Sequence, residues 1–320
     1  MDDVVANLIT LPGIGSNSKV LGTTYKDKSV LTRLEQLGVT FIDHIRESDL
    51  KESQHPFGLE TIQCLLQDKA ILNNLKKRYE KVDLLVVRHI LEHSSSVRSL
   101  LTNMSELIKP DGYIMFEIPD SSHIFQADNY SFIWEEHISY FTESAIGKIA
   151  NSVGAEVVWM KRYSYSYEDS LVAVLRFCNN KPTKVLAPPK YEVQRVLKLL
   201  NRFAMDLEGQ RSYWRKKLKG YNSNNMPVAV FGAGHLAVKF INFLQLKDLI
   251  NCVIDDDTNK NGLLMPGSNL PIVSSSELNT RNIRVCISTL SPESEVKVRN
   301  KMSKYFSLGG IFISASVVQD

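Results

Sequence analysis

The chain is poor in cysteine, and its cysteines are not clustered. Its 320 residues include four, Cys64, Cys178, Cys252 and Cys286. No pair has the C-x-x-C spacing that zinc sites and redox motifs require. The scatter argues against a disulfide-rich secreted fold and favours a reducing cytoplasm.

Long apolar runs and a strong charge bias are also missing. No run approaches the roughly 20 residues that span a bilayer, and the start MDDVVANLIT lacks the basic region of a signal peptide. The 38 basic and 35 acidic side chains give a formal net charge of +3, far from the basic balance of a dedicated nucleic-acid binder. We expect a cytoplasmic protein that binds neither membranes nor nucleic acid.

Short β-rich runs alternate with longer helical patterns, which is typical of parallel sheets covered by helices. Two such α/β blocks are visible, and we predict domains at 1–180 and 227–320, joined by a linker and long helix at 181–226. Predicted strands include Val39–Ile42, Val82–Val87, Tyr113–Ile118, Glu156–Met160, Ser170–Phe177 and Val228–Phe231. Predicted helices include Ser29–Leu37, Lys69–Tyr79, Val97–Ile108, Thr142–Val153 and Tyr191–Leu218, with a proline-rich linker at Asn179–Pro189 and a break at Gly220–Met226.

The second block begins with a glycine turn. Strand Val228–Phe231 leads into Gly232-Ala233-Gly234-His235-Leu236-Ala237 and then a helical stripe. This order matches the dinucleotide-type fingerprint, in which small residues bring helix N–H groups toward a phosphate. Asp255 follows about 20 residues later, where the fingerprint places an acid that meets a ribose hydroxyl. The alternative interpretation is that the glycines only make the turn and Asp255 begins a solvated loop.

The first block carries polar residues at the carboxyl ends of predicted strands, where open α/β sheets bind ligands. Arg88-His89-Ile90-Leu91-Glu92-His93 follows one strand, and Glu117-Ile118-Pro119-Asp120 ends the next. Further on, the aromatic-rich run at 132–141 places Glu135 and Glu136 directly before His137.

These segments resemble the S-adenosylmethionine-dependent C-methyltransferases that act on nucleotide-linked deoxy-keto-sugars. The resemblance covers nearly the whole chain. It is carried by VVRHILEH at 86–93, KPDGYIMFEIPD at 109–120, EEHISYF at 135–141, GAGHLA at 232–237, VIDDD at 253–257 and LLMPGSNLPI at 263–272. It implies an α/β fold, with a class I methyltransferase-like (Rossmann-like) domain followed by a second, smaller Rossmann-like α/β domain.

The resemblance also implies a reaction and its residues. His137 would remove the proton beside the keto group of a nucleotide-sugar substrate, with Glu136 orienting it, and the enolate would attack the methyl group of S-adenosylmethionine. An imidazole suits this task because it titrates near neutral pH. His93 falls in the substrate-facing region, although a core histidine is an equal alternative there.

Further site residues are assigned by position. Trp134 and Tyr140 match substrate-facing aromatic positions, although packing alone also explains Tyr140. The candidate substrate contacts of the second block are Gly232, Gly234, His235 and Asp255. The cofactor-binding candidates are Thr24, Asp27, Asp43 and His89.

The first strand and its loop depart from the family pattern. The usual acid falls on Gly22, the usual loop glycines fall on Thr24 and Lys28, and only Asp27 keeps its type. One interpretation is an altered cofactor pocket; another is that Lys26 and Lys28 attract an anion or are merely solvated. The cysteine-rich zinc subdomain of the family is missing, so we expect no metal.

Three functions stay open at this stage. The first is a C-methyltransferase with an unusual cofactor loop. The second is an epimerase or isomerase that keeps the proton chemistry without methyl transfer. The third is a non-catalytic nucleotide-sugar-binding partner of a related enzyme. The oligomeric state is not predicted.

Overall fold

The computed structural model describes residues 1–51, 57–126, 130–165, 168–177 and 190–315. The predicted linker Asn179–Pro189 lies outside them. The chain forms two compact units: the first comprises 1–123 and 135–196, and the second comprises 124–134 and 197–320. A short segment from the middle of the chain thus belongs to the second unit.

The described part of the first unit contains a mixed sheet of six strands, in the order β2-β1-β3-β4-β6-β5. The first four strands in the chain are parallel, and β6 is antiparallel to both β4 and β5. The strands are β1 (Lys19–Gly22), β2 (Phe41–His44), β3 (Val82–Arg88), β4 (Ile108–Pro119), β5 (Ala155–Tyr163) and β6 (Ser170–Phe177).

Helices cover both faces of this sheet. They are α1 (Asp2–Leu8), α2 (Lys28–Gln36), α3 (Glu47–Leu50), α4 (Leu59–Gln67), α5 (Lys69–Arg78), α6 (Val97–Ser105) and α8 (Glu143–Ser152), whereas α7 (Ser121–Gln126) has residues in both units. Because side chains alternate along a strand, Leu85 faces one core with α4, α5, α6 and α8, whereas Leu84 faces a second core with α1 and α2. The predicted α/β class is confirmed.

The topology creates a ligand-binding position. From β1 the chain runs to β2 on one side, and β3 then returns to pair on the other side of β1. Ligands of open α/β sheets bind at such a switch point, outside the carboxyl ends of the strands. In this unit the ends concerned are those at Gly22 and Arg88.

Three predicted boundaries are wrong. Helix α6 ends at Ser105, not at Ile108, and β4 already begins at Ile108, which pairs with Val82. Within β4, Asp111 is left-handed (φ 62°), and the pairing with β3 shifts register between Val82 and Leu84. The Lys-Pro-Asp-Gly segment therefore interrupts the pairing of β4 with β3 without ending the strand. The expected break at Gly220 is also displaced, since the long helix continues to Ser223.

The second unit has a smaller parallel sheet, which the described residues build in the order β11-β10-β7-β8-β9. Trp214 and Leu218 of the long helix pack into its core with Phe240. Its elements are α9 (Lys190–Ser223), β7 (Val228–Phe231), α10 (His235–Phe243), β8 (Cys252–Ile254), β9 (Ile272–Val273), β10 (Val285–Ser288), α11 (Pro292–Lys301), α12 (Ser303–Ser307) and β11 (Ile311–Ser314).

The segment 124–134 is held inside the second unit by aromatic contacts. Phe203 of α9 stacks on Tyr130 with ring centroids 4.4 Å apart and meets Phe125 edge-on at 5.3 Å. The Arg202 guanidinium donates to the carbonyls of Phe125 and Gln126 at 3.0 and 2.7 Å. This α9 surface therefore has its packing partner in a segment that lies far upstream in the sequence.

Candidate active site

The loop after β1 folds around a buried carboxylate. Oδ2 of Asp27 accepts hydrogen bonds from the backbone N–H groups of Thr23 and Thr24 at 2.6 and 2.8 Å, and from the Thr23 hydroxyl at 3.0 Å. Burial raises the pKa of Asp27 to about 6, although these hydrogen bonds and the charge of Arg88 act in the opposite direction. The one loop position that keeps the family's residue type is thus the organising centre of the loop.

The lost glycines were not needed for backbone conformation. Thr24 is extended (φ −144°) and Lys28 is helical (φ −48°), both of which any residue adopts. Gly22 is constrained by space: a Cβ there would lie 2.8 Å from Leu31 Cδ1 and 3.2 Å from Asp27 Cβ. Glycine in place of the usual acid therefore leaves room for Asp27 and α2.

Arg88 joins the strand ends at the switch point. Its Nε donates to the Glu117 carboxylate of β4, and its Nη1 donates to the Lys26 carbonyl and, at 3.0 Å, to the Ser29 hydroxyl. Glu117 is also an acceptor for the Ser170 hydroxyl at 2.8 Å. Since each partner has several fixed neighbours, this network holds the loop after β1 against β3 and β4.

A cavity of about 490 Å³ opens beside this loop, at the carboxyl ends of β1 and β2. The predicted cofactor residues Thr24 and Asp43 both line it, together with Leu31, Ile42 and Ile45. Its volume lies within the range of small-molecule sites. Three carboxylates and two cationic side chains also border it, namely Glu35, Asp43, Glu47, Lys28 and Arg46.

Strand β3 is followed by a residue with unusual backbone geometry. His89 is left-handed (φ 55°), a conformation for which histidine is among the more tolerant residues. The turn leads into a short 3₁₀ helix that buries Glu92 and His93, with Nδ1 of His89 lying 3.3 Å from a Glu92 carboxylate oxygen. His89, predicted as a cofactor residue, thus contacts the carboxylate next to the histidine cluster.

The predicted catalytic motif meets this 3₁₀ helix. The backbone N–H groups of Ile138 and Ser139 donate to the Glu92 carbonyl at 2.8 and 3.0 Å. The ring of His137 lies edge-on to His93, with centroids 5.0 Å apart and an interplanar angle of 87°. Two histidines that are separated in sequence by a strand and two helices are therefore neighbours.

Glu136 and Tyr140 border the same cluster. The Glu136 main-chain carbonyl lies 3.0 Å from Nδ1 of His93, so the observed contact of this residue is with His93 through the backbone. Tyr140 lies farther from His137, with ring centroids 6.2 Å apart. Proximity to His137 is consistent with either interpretation of Tyr140, packing or substrate contact.

Three donor groups of this cluster are spaced closely enough to share a cation. Glu92, His93 and His137 each offer a ligand atom, and these atoms lie within 4.8 Å of one another. One carboxylate with two imidazoles is a common ligand set for divalent transition metals. The sequence predicts no metal because the cysteine-rich subdomain is missing. That prediction does not concern this group, which contains no cysteine.

The glycine turn of the second unit is stabilised from within. Gly232 is left-handed (φ 100°), and a Cβ there would lie 2.7 Å from Leu290 Cδ2. Oδ2 of Asp255 accepts from the Ala233 N–H at 2.8 Å and from Lys260 at 3.1 Å. Burial acts to raise the pKa of Asp255, but these donors and the Asp257 N–H outweigh it, so that the pKa is lowered.

The remaining candidates lie on helix α10 or against it. Gly234 is the N-cap of α10, and His235 is its exposed first residue. Trp134 packs within this same unit, with its ring 5.6 Å from the His235 ring and 3.7 Å from the buried Lys239 ammonium. Trp134 therefore has a structural role in the second unit through a cation–π contact.

Sequence reasoning missed one acidic residue of the histidine cluster. Oε1 of Glu60, in the first turn of α4, lies 3.4 Å from Nδ1 of His93. The available signal was Gly58 followed by Leu59-Glu60-Thr61-Ile62 with apolar residues at helical spacing. That pattern predicts a helix start but not which side chains its first turn meets.

Comparisons with known proteins agree with the two-part organisation. A methyltransferase-domain model matches residues 27–159, and a model described as the C-methyltransferase C-terminal domain matches residues 183–316. The C-methyltransferase NovU of Streptomyces niveus is 22% identical over 233 residues, which are 67% of this chain. The chain spans about half (52%) of the length of that relative.

Solved structures with some similarity include two methyltransferases with bound S-adenosylhomocysteine. The magnesium protoporphyrin IX methyltransferase of Synechocystis PCC 6803 is 17% identical, with 55% of this chain and 81% of that one covered and a TM-score of 0.39. The 1,6-didemethyltoxoflavin-N1-methyltransferase of Burkholderia thailandensis is 14% identical, with 55% of this chain and 77% of that one covered and a TM-score of 0.37.

No helix among the described residues has both the length and the apolar character needed to cross a bilayer.

The two family models together account for both blocks of the sequence, in the expected order. Residues 27–159 are therefore similar to the methyltransferase-domain family and residues 183–316 to the C-methyltransferase C-terminal domain family, a combination that supports an S-adenosylmethionine-dependent C-methyltransferase family.

Proposed function

We propose that this protein is a C-methyltransferase that acts on a carbon next to the keto group of a nucleotide-linked deoxy-sugar. The observation that carries the proposal is the contact between His93 and His137 beside buried Glu92. Methylation at such a carbon first requires removal of its proton, and neighbouring imidazoles are suitable groups for that step. The matches to the two family models support the methyl transfer that follows.

His137 is the proposed base. It removes the proton next to the keto group, and the bonding pair becomes the C=C bond of an enolate. The hydrogen bonds from Ile138 and Ser139 to the Glu92 carbonyl hold the backbone that carries His137. The buried Glu92 carboxylate lies close enough to compensate the positive charge that the imidazole acquires.

The residues of the cavity fit the nucleoside part of S-adenosylmethionine. Asp43 supplies an acceptor for ribose hydroxyls, and Leu31, Ile42 and Ile45 supply apolar surface for a base. The excess of one carboxylate over the cationic side chains suits a positively charged cofactor. When bound, the cofactor supplies the methyl group.

Calorimetry with S-adenosylhomocysteine tests this assignment. We expect micromolar binding that Asp43→Asn weakens about tenfold or more, because a charged hydrogen-bond acceptor is lost. Glu80→Gln is a matched control, since Glu80 pairs with Lys19 away from the cavity. Absence of binding at millimolar ligand, or no transfer of a labelled methyl group to any nucleotide-linked keto-sugar, contradicts the proposal.

The loop after β1 favours a second candidate, a keto-sugar epimerase or isomerase without methyl transfer. The N–H groups of Thr23 and Thr24, which a cofactor's methionine part would meet, already donate to Asp27. Reprotonation of the enolate on either face would then complete the reaction. This candidate predicts deuterium uptake from D₂O into the keto-sugar with no cofactor present and a changed configuration in the product.

A further inference from the structure

His93 has an asymmetric environment within the first unit. The residue is buried, at 5% exposure, and its ring is nearly perpendicular to that of His137, with centroids 5.0 Å apart. Nδ1 faces the Glu136 main-chain carbonyl at 3.0 Å and the Glu60 carboxylate at 3.4 Å. The two ring nitrogens of a histidine are chemically distinct, and the partners of one decide the state of the other.

Both partners of Nδ1 are hydrogen-bond acceptors. A backbone carbonyl and an ionised carboxylate have no proton to give, so Nδ1 must carry the hydrogen. The neutral ring of His93 is therefore the Nδ1–H tautomer, and its Nε2 holds the lone pair. When the ring is charged, the proton on Nε2 is the one that can leave, because Nδ1–H donates to the Glu136 carbonyl and faces the Glu60 carboxylate.

Local structure directs the Glu60 carboxylate toward this position. Glu60 lies in the first turn of α4, where the helix dipole favours a negative charge. Its Oε2 packs against Gly58, where an added Cβ would lie only 2.5 Å away. The backbone of Gly58 (φ −69°, ψ 162°) is open to any residue, so this glycine provides space for the carboxylate and not a special conformation.

Glu92 lies close to His93 in the cluster. Its Oε2 is buried and has no hydrogen-bond partner among the described residues, and its carboxylate is within 4.8 Å of ligand atoms of His93 and His137. A buried carboxylate oxygen without a donor favours positive charge nearby. It thus suits a cluster in which one imidazole gains a proton as the other loses one.

We propose that Glu60 is a positioning residue that fixes the tautomer of His93 and thereby makes Nε2 a second proton-transfer atom beside His137. As His137 takes the proton from carbon, the C–H pair becomes the C=C bond. The π pair of the C=O bond moves to the keto oxygen, which takes the proton from Nε2 of charged His93, so that the product is the enol and the ring is left as its neutral Nδ1–H tautomer. The tautomer assignment is independent of the proposed function, whereas the catalytic use of Nε2 rests on the proposed function.

Nitrogen-15 NMR of the histidine rings in the full chain tests the assignment directly. The spectra are recorded with EDTA present, and His93→Asn identifies the His93 signals. We expect neutral His93 in the wild type to be the Nδ1–H tautomer. Glu60→Gln should raise the Nε2–H fraction several-fold, because the Gln amide can donate to Nδ1. Gly58→Ala should change it in the same direction by displacing the carboxylate, and Glu80→Gln should leave it unchanged.

Kinetics provide the second readout. Deuterium exchange from D₂O into thymidine- and uridine-diphosphate-linked 4-keto-6-deoxyhexoses should show kcat about tenfold lower in Glu60→Gln, with KM changed less than about twofold. An Nε2–H tautomer in the wild type, or an unchanged tautomer ratio in Glu60→Gln, overturns the inference. Failure of the wild type to exchange any sugar counts against the proposed function and removes the catalytic use of Nε2, and the NMR result still decides the tautomer.

Discussion

Asp27 illustrates how a single side chain can replace several residues of a motif. It is fully buried, yet three hydrogen bonds from Thr23 and Thr24 converge on one of its oxygens. The loop is thereby closed by a side chain of the protein. The same arrangement recurs in the second unit, where Asp255 accepts from the Ala233 N–H of the glycine turn.

The first residue-scale prediction concerns the pH dependence of stability. Since burial raises the pKa of Asp27 from 3.8 to about 6, folding favours its protonated form. The associated stability is present below pH 3.8 and is lost as the pH rises through about 6. Between pH 4 and pH 7.5, Asp27→Asn should gain about 2 kcal/mol relative to the wild type. Urea unfolding at both pH values measures this, and parallel pH profiles of the two proteins contradict it.

The second residue-scale prediction concerns the proposed base. His137→Asn should reduce deuterium exchange into keto-sugars by about 10²–10⁴-fold, the usual contribution of general base catalysis. His123→Asn replaces an exposed histidine outside the cluster and should retain full exchange. Circular dichroism checks that both variants fold. Exchange in His137→Asn at the wild-type rate would assign the proton removal to another group.

At the scale of elements, the turn from β1 into α2 depends on close packing at Gly22. Gly22→Ala should destabilise the protein by about 1–3 kcal/mol, because the new methyl group meets Leu31. Leu31→Ala should relieve part of this cost in the double variant. Gly15→Ala is the control, since nothing lies within 4 Å of its added Cβ. Denaturant unfolding of the four variants measures the coupling energy between positions 22 and 31. Additive losses of unfolding free energy in the double variant would contradict the predicted contact with Leu31.

At the scale of the whole molecule, the second unit is built from two separate stretches of chain. Phe203 is buried against Phe125 and Tyr130, which lie in the segment 124–134. Phe203→Ala should therefore cost about 3–5 kcal/mol. It should also accelerate amide hydrogen exchange in residues 130–134. Leu197→Ala, which removes a 47% exposed side chain of the same helix, should leave that segment protected.

The predictability of each part follows from the range of the interactions that build it. Buried strands such as Val82–Val87 and the turn at Gly232 follow from local composition and from backbone needs that only glycine meets. The extension of β4 to Ile108 was missed because pairing with Val82, a non-local contact, outweighs the helical pattern before it. Glu60 was missed because its contact with His93 is non-local, and no sequence pattern indicates which residues meet across that distance in the chain.

By itself, the sequence determined the α/β class, the two blocks and the resemblance to C-methyltransferases, because these rest on apolar periodicity and on motifs whose residues are close together in the chain. Only the tertiary structure decided how the altered cofactor loop closes, because Asp27 acts through burial and hydrogen bonds. It also decided which groups surround His93, because Glu60 on α4, Glu92 in the 3₁₀ helix after β3 and His137 before α8 lie far apart along the chain. The sequence shows cysteines too scattered for a zinc site, and the folded chain places a carboxylate and two imidazoles side by side.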